Sequence, residues 1–354
     1  MKLDLNEIRI IDIELTNKCN AACPGCNREN HKPHTLNTTE WSLQDIKRII
    51  PKQVLHPGVE FFFGGTVDEA MMNTQVYEIC EYILSFGCNI VLETNGGANT
   101  AKTFTKLGKL SKHHDHRLTV RFSVDGVEKN NHLYRVNVKW KTVMRNMKAY
   151  INAGGDGLWQ YLVFDHNYQD IEEAFEISKD VNIPFQLRQG TRGIEPFISL
   201  IQTKNKETKK IETEKFVVEQ SKKFTHDYME ERKALQEQEE LAPEGINCYM
   251  LHKKNIFLDA QFKLWPCCWW ASDSYINGER AYFDKLAQEY GRQWNNLKYK
   301  SMKSILNHRF YSEILHKSFV DENYKDKFRN KCQVECGDGG HRNRTKRVDL
   351  SDDK

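Results

Sequence analysis

Short runs rich in β-branched and aromatic residues alternate with amphipathic segments through the first half of the chain, and this alternation restricts the possible folds. Between the runs, apolar residues recur at helical spacing, as Ile171, Ala174 and Phe175 do. Repeated βα units build a parallel sheet with right-handed crossovers, and functional groups gather at the carboxyl ends of its strands. The sequence therefore predicts an α/β fold, a partial (β/α)6 TIM-like barrel over residues 1–205. The predicted strands are Ile10–Thr16, Val59–Gly65, Asn89–Gly97, Leu118–Gly126, Trp159–Asn167 and Pro184–Gly190, and the predicted helical segments are 40–55, 74–86, 99–112, 138–153 and 169–181.

The second half of the chain has a different composition. Lys204–Glu240 is dense in Lys, Glu and Gln with few apolar residues, which predicts a solvated helical connector over 206–244. A hairpin-like stretch, Asn255–Trp265, and several cysteines follow, and they predict a small metal-bearing domain over 245–340. The tail, 341–354, is predicted to be flexible.

Length, charge and cysteine content narrow the class of protein. The 354 residues suffice for two hydrophobic cores, and a net charge of +3 is too small to indicate a nucleic-acid or membrane partner. No stretch approaches the roughly 18 consecutive apolar residues of a membrane helix, and the first residues lack the apolar core of a signal peptide. We therefore expect a cytoplasmic protein. Because the cytosol keeps thiols reduced, clustered members of the 10 cysteines are expected to bind metal.

The first predicted strand runs directly into a loop that carries Cys19, Cys23 and Cys26. Three thiolates with this spacing can bind three irons of a [4Fe-4S] cubane and leave the fourth iron open for a substrate. A zinc ion would instead need a fourth ligand, which His31 or His34 could supply. The spacing alone is compatible with both sites.

The loop resembles the CxxxCxxC signature of the radical S-adenosylmethionine (SAM) superfamily, although the residue before the third cysteine, usually aromatic in that family, is Gly25 here. The resemblance implies that the open iron chelates the methionine moiety of SAM. One electron from the cluster, delivered by a donor such as flavodoxin or ferredoxin, then cleaves a C–S bond. The resulting 5′-deoxyadenosyl radical abstracts hydrogen from the substrate. The cofactor would supply this chemistry and the protein would position it.

The loop after the second predicted strand is similar to the Gly-Gly-Glu-Pro motif that holds the SAM amine in this family. Gly64 and Gly65 let a ligand approach the backbone. The acid comes later than in the family motif, at Asp68 or Glu69, and no proline follows it. Glu69 is preferred. By itself this segment would be interpreted as a plain strand-ending turn.

Polar residues at the ends of later strands resemble further SAM contacts of the family. They are Thr94, Asn95, Ser123, Arg135, Asn167 and Arg188. Simpler interpretations exist for each group: a turn for the Thr-Asn-Gly element, a surface ion pair for the arginine at a helix start, and loop hydrogen bonds for the last two residues.

Four cysteines in the second half, Cys248, Cys267, Cys332 and Cys336, are enough to close one cubane. The region resembles the SPASM or twitch domain, which implies one auxiliary [4Fe-4S] cluster. Cys268 could replace Cys267 as a ligand, and family hairpins generally have glycine where Phe262 stands. A structural zinc at the same thiolates is the alternative. Cys80 and Cys88 lie in a helical segment and a strand start, and are interpreted as packing residues.

The resemblance implies a radical SAM enzyme, either an oxidoreductase or a peptide-modifying maturase, that abstracts hydrogen from a peptide or protein. That substrate rests on family analogy. Oxidation or rearrangement of a small molecule, such as a sugar or an alcohol, is the second hypothesis. A hypothesis from another class is a zinc-stabilised, non-catalytic binding protein.

Overall fold

The computed structural model describes residues 3–26, 28, 38–189, 196–204, 210–221, 223–224, 248, 252–275, 286–315, 317, 332, 336 and 347–350. The chain forms two compact units. The first contains Met1–Lys18, His31–Leu92 and Ala242–Arg344, and the second contains Cys19–Asn30, Glu93–Leu241 and Thr345–Lys354. These units do not follow the predicted division near residue 205.

The strands of the described residues are β1 (Ile10–Ile13), β2 (Glu60–Phe63), β3 (Asn89–Thr94), β4 (Leu118–Ser123), β5 (Asp156–Val163), β6 (Phe185–Gln189), β7 (Phe197–Lys204), β8 (Ile211–Val218), β9 (Asn255–Leu258), β10 (Leu264–Trp265) and β11 (Arg347–Leu350). The α-helices are α1 (Leu43–Ile49), α2 (Val76–Leu84), α3 (Ala101–His113), α4 (Asn131–Tyr134), α5 (Trp140–Asn152), α6 (Ile171–Val181), α7 (Cys268–Tyr275) and α8 (Met302–Leu306). Short 3-10 turns and one π-helical turn, Phe310–Ile314, complete the described elements.

Helix ends are set by local side chains. α1 begins after Ser42, whose hydroxyl accepts a hydrogen bond from Asp45 N at 3.1 Å while the Asp45 carboxylate accepts one from Ser42 N at 3.1 Å. This reciprocal pair satisfies two N–H groups that the helix leaves unbonded. α6 ends at Asn182, which adopts a left-handed conformation.

In the first unit the strands lie in the order β10-β9-β1-β2-β3. β1 pairs in parallel with both β2 and β9, so the stretch predicted as the hairpin of a separate domain extends the same sheet. Ile11 and Ile13 of β1 are fully buried between these neighbours. Trp41 is also fully buried, and its indole N–H donates to Asp259 O at 3.1 Å.

In the second unit β4, β5 and β6 run in parallel, and β11 pairs antiparallel with β6. β7 and β8 form a separate antiparallel hairpin. Trp159 and Tyr161 are fully buried, and Phe185 packs on both rings. Trp159 Nε1 donates to Val124 O at 2.9 Å, which fixes the chain just beyond the end of β4.

The α/β class and the six parallel strands of the predicted partial barrel are confirmed. Most of these strands stop before the carboxyl ends that the sequence predicts, and the remaining residues form loops. Within the described ranges, no helix combines the length and the apolar character that crossing a bilayer requires. Cys80 and Cys88 are fully buried, as expected of packing residues.

Two local predictions are wrong. Residues 211–218 of the predicted helical connector form β8, because Ile211, Thr213, Val217 and Val218 are β-branched and pair with β7. Residues 347–350 of the predicted flexible tail form β11, whose backbone pairs with β6. Residues 225–247 of the connector lie outside the described part of the chain.

Replacement of Gly108 tests how closely α3 approaches α5. A Cβ at this position would collide with the backbone oxygen of Tyr150 and crowd Ala153. Alanine favours a helix by about 1 kcal/mol over glycine, but overpacking costs about 1–3 kcal/mol. We expect Gly108→Ala to lower the melting temperature, whereas Lys109→Ala on the exposed face should leave it nearly unchanged. An equal or higher melting temperature for Gly108→Ala would contradict the close approach.

Candidate active site

The three-cysteine loop begins just after β1 and folds as a tight turn. Cys23 is buried, and Cys19 and Cys26 are half-buried. Cys26 N donates to Cys23 O at 2.9 Å across the Pro-Gly turn. Ala22 N donates to Val136 O at 3.1 Å and fastens the loop to the rest of the second unit. The loop therefore presents its thiols from a fixed backbone.

Hydrogen-bond donors surround two of these sulfurs. Ala21 N lies 3.4 Å from Cys19 Sγ, and Asn95 Nδ2 lies 4.0 Å from the same atom. Arg135 Nη1 lies 3.8 Å from Cys23 Sγ. Donors of this kind stabilise the thiolate form that binds iron, so the donor set fits a cluster.

Gly25 stands where the family usually has an aromatic residue, and the structure gives the reason. A Cβ on Gly25 would lie 3.1 Å from the Phe197 ring and 3.2 Å from the Tyr134 hydroxyl oxygen. Aromatic side chains from β7 and α4 already fill this space. A bulky residue at position 25 would have to displace them.

Arg135 is held by Asp125, which is fully buried at the end of β4. Asp125 Oδ2 accepts from Arg135 Nε, and Oδ1 accepts from Leu162 N at 2.7 Å. Burial raises the pKa of Asp125, and the Arg135 guanidinium opposes that shift. Burial also raises the pKa of the Cys23 thiol to about 11, again opposed by Arg135. Metal binding at Cys23 would displace this proton.

The Thr-Asn-Gly element is both a turn and part of this site. Thr94 Oγ1 accepts from Gly96 N at 3.0 Å, and Asn95 Oδ1 accepts from Gly97 N at 2.8 Å. Because the Asn95 oxygen is held in this way, its amide nitrogen points to Cys19 and to Asn20 Oδ1, at 2.9 Å.

The remaining residues predicted to contact SAM are Asn167, Ser123 and Arg188. Asn167 is fully buried, and its amide bonds to the backbone of Asp125, Leu162 and Phe164, so it shapes the turn after β5. Ser123 is half-buried at the end of β4. Arg188 Nη1 donates to Gln160 Oε1 at 2.8 Å.

The glycine loop after β2 belongs to the first unit and is closed by carboxyl groups. Asp68 Oδ1 accepts from Gly65 N at 2.7 Å, and Glu14 Oε1 accepts from Thr66 N at 2.7 Å. A Cβ on Gly65 would collide with Glu14 and Asp68, so only glycine fits. Glu69 N donates to Lys18 O at 2.9 Å, directly before Cys19 in the chain.

Three acidic side chains lie at this loop: Glu14 and Glu69 are buried, and Asp68 is half-buried with its Oδ2 atom buried. Burial raises the pKa of Asp68 well above its usual range, and the charges of Glu14 and Glu69 add to the effect. Within the described residues, Asp68 Oδ2 has no hydrogen-bond partner. An ammonium group would satisfy this oxygen and offset the acidic charge. Sequence reasoning missed Glu14, although a glutamate near the end of an apolar strand run was a usable signal.

The C-terminal cysteines also belong to the first unit. Burial raises the pKa of the Cys267 thiol well above its usual range, and the thiols of Cys268, Cys332 and Cys248 contribute. These sulfurs therefore lie near Cys267, while Cys336 is half-buried. Among the described residues, no three His, Cys, Asp or Glu side chains meet around a single point. A cubane does not require that, because each of its thiolates binds a different iron. His31 and His34 lie outside the described residues.

Phe262, at the position where family hairpins generally have glycine, has a positive φ of 67°. This conformation normally favours glycine. The Phe262 ring lies 4.4 Å from the Trp41 ring and 3.8 Å from Lys298 Nζ. Packing of the Phe262 ring between Trp41 and Lys298 offsets the free-energy cost of its positive φ.

Comparison with known proteins agrees with this geometry. The Radical SAM superfamily model matches residues 13–177. Native anSMEcpe with bound AdoMet has a similar structure, with a TM-score of 0.54, 14% identity, and coverage of 92% of this chain and 88% of that chain. Its complex with AdoMet and the Cp18Cys peptide has a TM-score of 0.52 and 13% identity, and the match covers 93% of this chain and 89% of that chain. Streptococcus suis SuiB bound to S-adenosylmethionine has a TM-score of 0.49 and 13% identity, and the match covers 81% of this chain and 68% of that chain. A search of curated protein sequences gives no match.

A loop of three thiols at the end of the first strand of a parallel α/β framework is an arrangement that can bind three irons of a cluster. The loop and the carboxyl ends of β1 to β5 lie within the matched region. Residues 13–177 therefore form a radical SAM domain, and the protein is an enzyme.

Replacement of Asp68 tests the buried acidic group. The folded protein holds the Asp68 proton more tightly than the unfolded chain, so its contribution to stability is complete below about pH 4 and falls as the pH rises toward the folded pKa. Asp68→Asn removes this titration and keeps an oxygen for Gly65 N. We expect the melting temperature of the variant, relative to the parent, to increase from about pH 5 to about pH 8 in protein prepared without iron. The exposed control Asp180→Asn should show a constant difference. Parallel behaviour of the two variants would contradict the raised pKa.

Proposed function

We propose that Cys19, Cys23 and Cys26 hold a [4Fe-4S] cluster whose open iron binds SAM. When bound, the cluster and SAM supply a 5′-deoxyadenosyl radical, which abstracts hydrogen from the substrate. The observation that carries this proposal is the cysteine loop with its fixed Cys23–Cys26 turn, in which Ala21 and Asn95 place donors at Cys19 Sγ and Arg135 places one at Cys23 Sγ.

Side chains of the protein would bind and orient SAM. We assign the methionine amine to the loop of Gly64, Gly65, Asp68 and Glu69, because this loop contains a buried carboxyl oxygen that an ammonium would satisfy. We assign other SAM contacts to Thr94, Asn95, Ser123 and Arg135. Arg135 uses two of its five N–H donors on Asp125 and Cys23, so further donors remain on the guanidinium. Asn167 acts through the backbone turn that it holds.

A second cluster is proposed at Cys248, Cys267, Cys332 and Cys336, in a SPASM- or twitch-like segment. The support is the proximity of three other thiols to Cys267. Cys268 is the alternative ligand to Cys267. A structural zinc at these thiolates is the alternative metal.

We propose a peptide or protein substrate and a flavodoxin or ferredoxin as electron donor, in the cytoplasm. The similarly folded anSMEcpe was solved with a peptide, and this analogy supports the substrate class. Oxidation or rearrangement of a small molecule is the second candidate. Because peptides are large and flexible, a peptide enzyme is expected to recognise groups away from the reacting carbon.

Loss of a loop cysteine tests the proposed chemistry. Anaerobically reconstituted protein is expected to contain about eight irons per chain and to form 5′-deoxyadenosine from SAM on reduction. Cys23→Ala should abolish this product, because one iron loses its protein ligand. Cys88→Ala, at a buried cysteine outside the loop, should retain it. A colourless, zinc-containing protein, or an unchanged yield with Cys23→Ala, would refute the proposal.

The Arg135–Asp125 pair should set the reduction potential of the loop cluster. A positive charge near Cys23 favours the reduced, more negative cluster, and the Asp125 carboxylate opposes it. EPR-monitored titration without SAM should give a lower midpoint potential for Arg135→Gln and a higher one for Asp125→Asn. Arg145→Gln on the exposed face of α5 is the matched control. Shifts in the same direction for both variants would show that the pair acts only through structure.

A further inference from the structure

The hairpin of β7 and β8 exposes an apolar face. The exposed large apolar side chains of the described residues are Ile198, Leu200, Ile211, Val217 and Tyr299, and all except Tyr299 lie on this hairpin. Ile198 pairs with Val217 in register, and Leu200 lies two positions further along β7, so these three side chains share one face. The solvent face of an antiparallel sheet is usually polar. A clustered apolar face of this kind indicates a surface that another chain covers.

The outer edge of β7, the side of the strand that faces away from β8, is also unpaired. Among the residues that the structure describes, β7 pairs with no strand except β8. In such a pair, alternate residues direct both their N–H and C=O groups away from the partner strand. Residues 197–203 include no charged residue and no proline, which are features by which proteins block an exposed edge. The β7 edge is therefore a template for a further strand.

The β7 edge begins beside the three-cysteine loop, within the same unit. The Phe197 ring fills the space that a side chain at Gly25 would occupy. The inner face of the hairpin is fixed by packing, because Ser199 and Val218 are fully buried and the centroids of the Phe216 and His166 rings lie 5.3 Å apart. A strand that is held in advance loses little entropy when it binds a ligand. An extended chain added along β7 would therefore reach the cysteine loop.

The charges on the hairpin favour an acidic partner. Lys215 pairs with Leu200 and lies exposed on the apolar outer face. Glu212 and Glu214 alternate with Lys215 along β8, so they belong to the opposite face. A strand paired with β7 would lie two strand spacings, about 10 Å, from Lys215. The Debye length at about 0.1 M salt is similar, so a carboxylate on that strand would still be attracted.

A peptide fits this edge better than a second copy of the chain does. Stable interfaces between folded proteins bury roughly 1,200–2,000 Å² in total. One strand edge with four exposed apolar side chains offers less than that. A peptide needs no such area, because its main chain supplies hydrogen bonds along the whole edge.

We propose that the β7 edge binds an extended segment of the peptide substrate as an added strand. The segment is apolar at alternate positions and carries an acidic side chain on the face of Lys215. Main-chain hydrogen bonds would supply the affinity, and the alternate side chains would supply the selectivity. This inference rests on the proposed function, because the edge leads to the three-cysteine loop, where the reacting residue must lie.

The test uses reconstituted, unreduced protein and the probe acetyl-Thr-Val-Thr-Glu-Thr-Val-Thr-amide, in which valine and glutamate share one face. Calorimetric titration should show binding of this probe. Two further probes are N-methylated, one at its valine and glutamate positions and the other at its threonines. Only one of these sets of N–H groups can face β7. One methylated probe should therefore bind tenfold or more weakly, and the other should bind nearly as well as the parent probe.

Variants of the hairpin locate the site. Leu200→Asp places a charge at the edge and should weaken binding of the parent probe tenfold or more. Lys148→Asp, exposed on α5 in the same unit, is the matched control and should have no effect. A probe with lysine in place of glutamate should bind about threefold more weakly in low salt. Lys215→Glu should reverse that preference.

Several results would overturn the inference. These are absence of binding, equal weakening by both sets of N-methyl groups, unchanged binding in Leu200→Asp, or an unchanged charge preference in Lys215→Glu. A dimer of the unaltered protein that Leu200→Asp dissociates would also overturn it, by assigning the edge to a second copy. If Leu200→Asp does not fold, the N-methylated probes still decide, because they use the unaltered protein.

Formation of 5′-deoxyadenosine by the unaltered protein tests the proposed function separately. If that product forms and the parent probe does not bind, only this inference fails. If the probe binds in the expected pattern and the product does not form, the β7 edge is a peptide site and the proposed function fails.

Discussion

The compensation of one buried carboxylate organises the second unit. Asp125 is fully buried, and an isolated charge in such a place would be strongly destabilising. Its two oxygens bind Arg135 and the N–H of Leu162, and its own N–H donates to the side chain of Asn131. Its carbonyl accepts from Asn167. One residue thereby joins the end of β4, β5, α4 and the turn after β5, and Arg135 extends this network to Cys23. The position of the cysteine loop depends on this ion pair.

Buried acidic groups are compensated differently in the two units. In the second unit, the Arg135 guanidinium pairs with the buried carboxylate of Asp125. In the first unit, Glu14 and Asp68 are satisfied mainly by backbone N–H groups of the glycine loop, and burial keeps the pKa of Asp68 high. A protonated or cation-bound acid fits the latter environment, and a carboxylate paired with arginine fits the former. Each unit thus has its own chemical preference, which follows from the residues that close its strand ends.

Local sequence patterns predicted the strands well because apolar alternation depends on neighbouring residues. Five of the six predicted runs contain the observed strand, and β5 begins three residues before its predicted start, Trp159. The prediction of a helical connector was wrong for a related reason. Charged residues predict exposure, but exposure is common to a solvated helix and to the outer part of a hairpin such as β8. The β-branched residues of β8 were the signal that distinguished the two.

The sequence by itself determined the chemistry of this protein: the spacing of Cys19, Cys23 and Cys26, the strand that delivers them, and the glycine loop after β2. Only the tertiary structure decided which distant residues complete these motifs. It placed β9 beside β1, Glu14 against Gly65, and Arg121 and Arg188 around Glu93. The physical reason is that thiol spacing and strand periodicity are local properties of the chain. The pairing of buried charges and the contacts of a glycine depend on segments far apart in sequence, which only packing brings together.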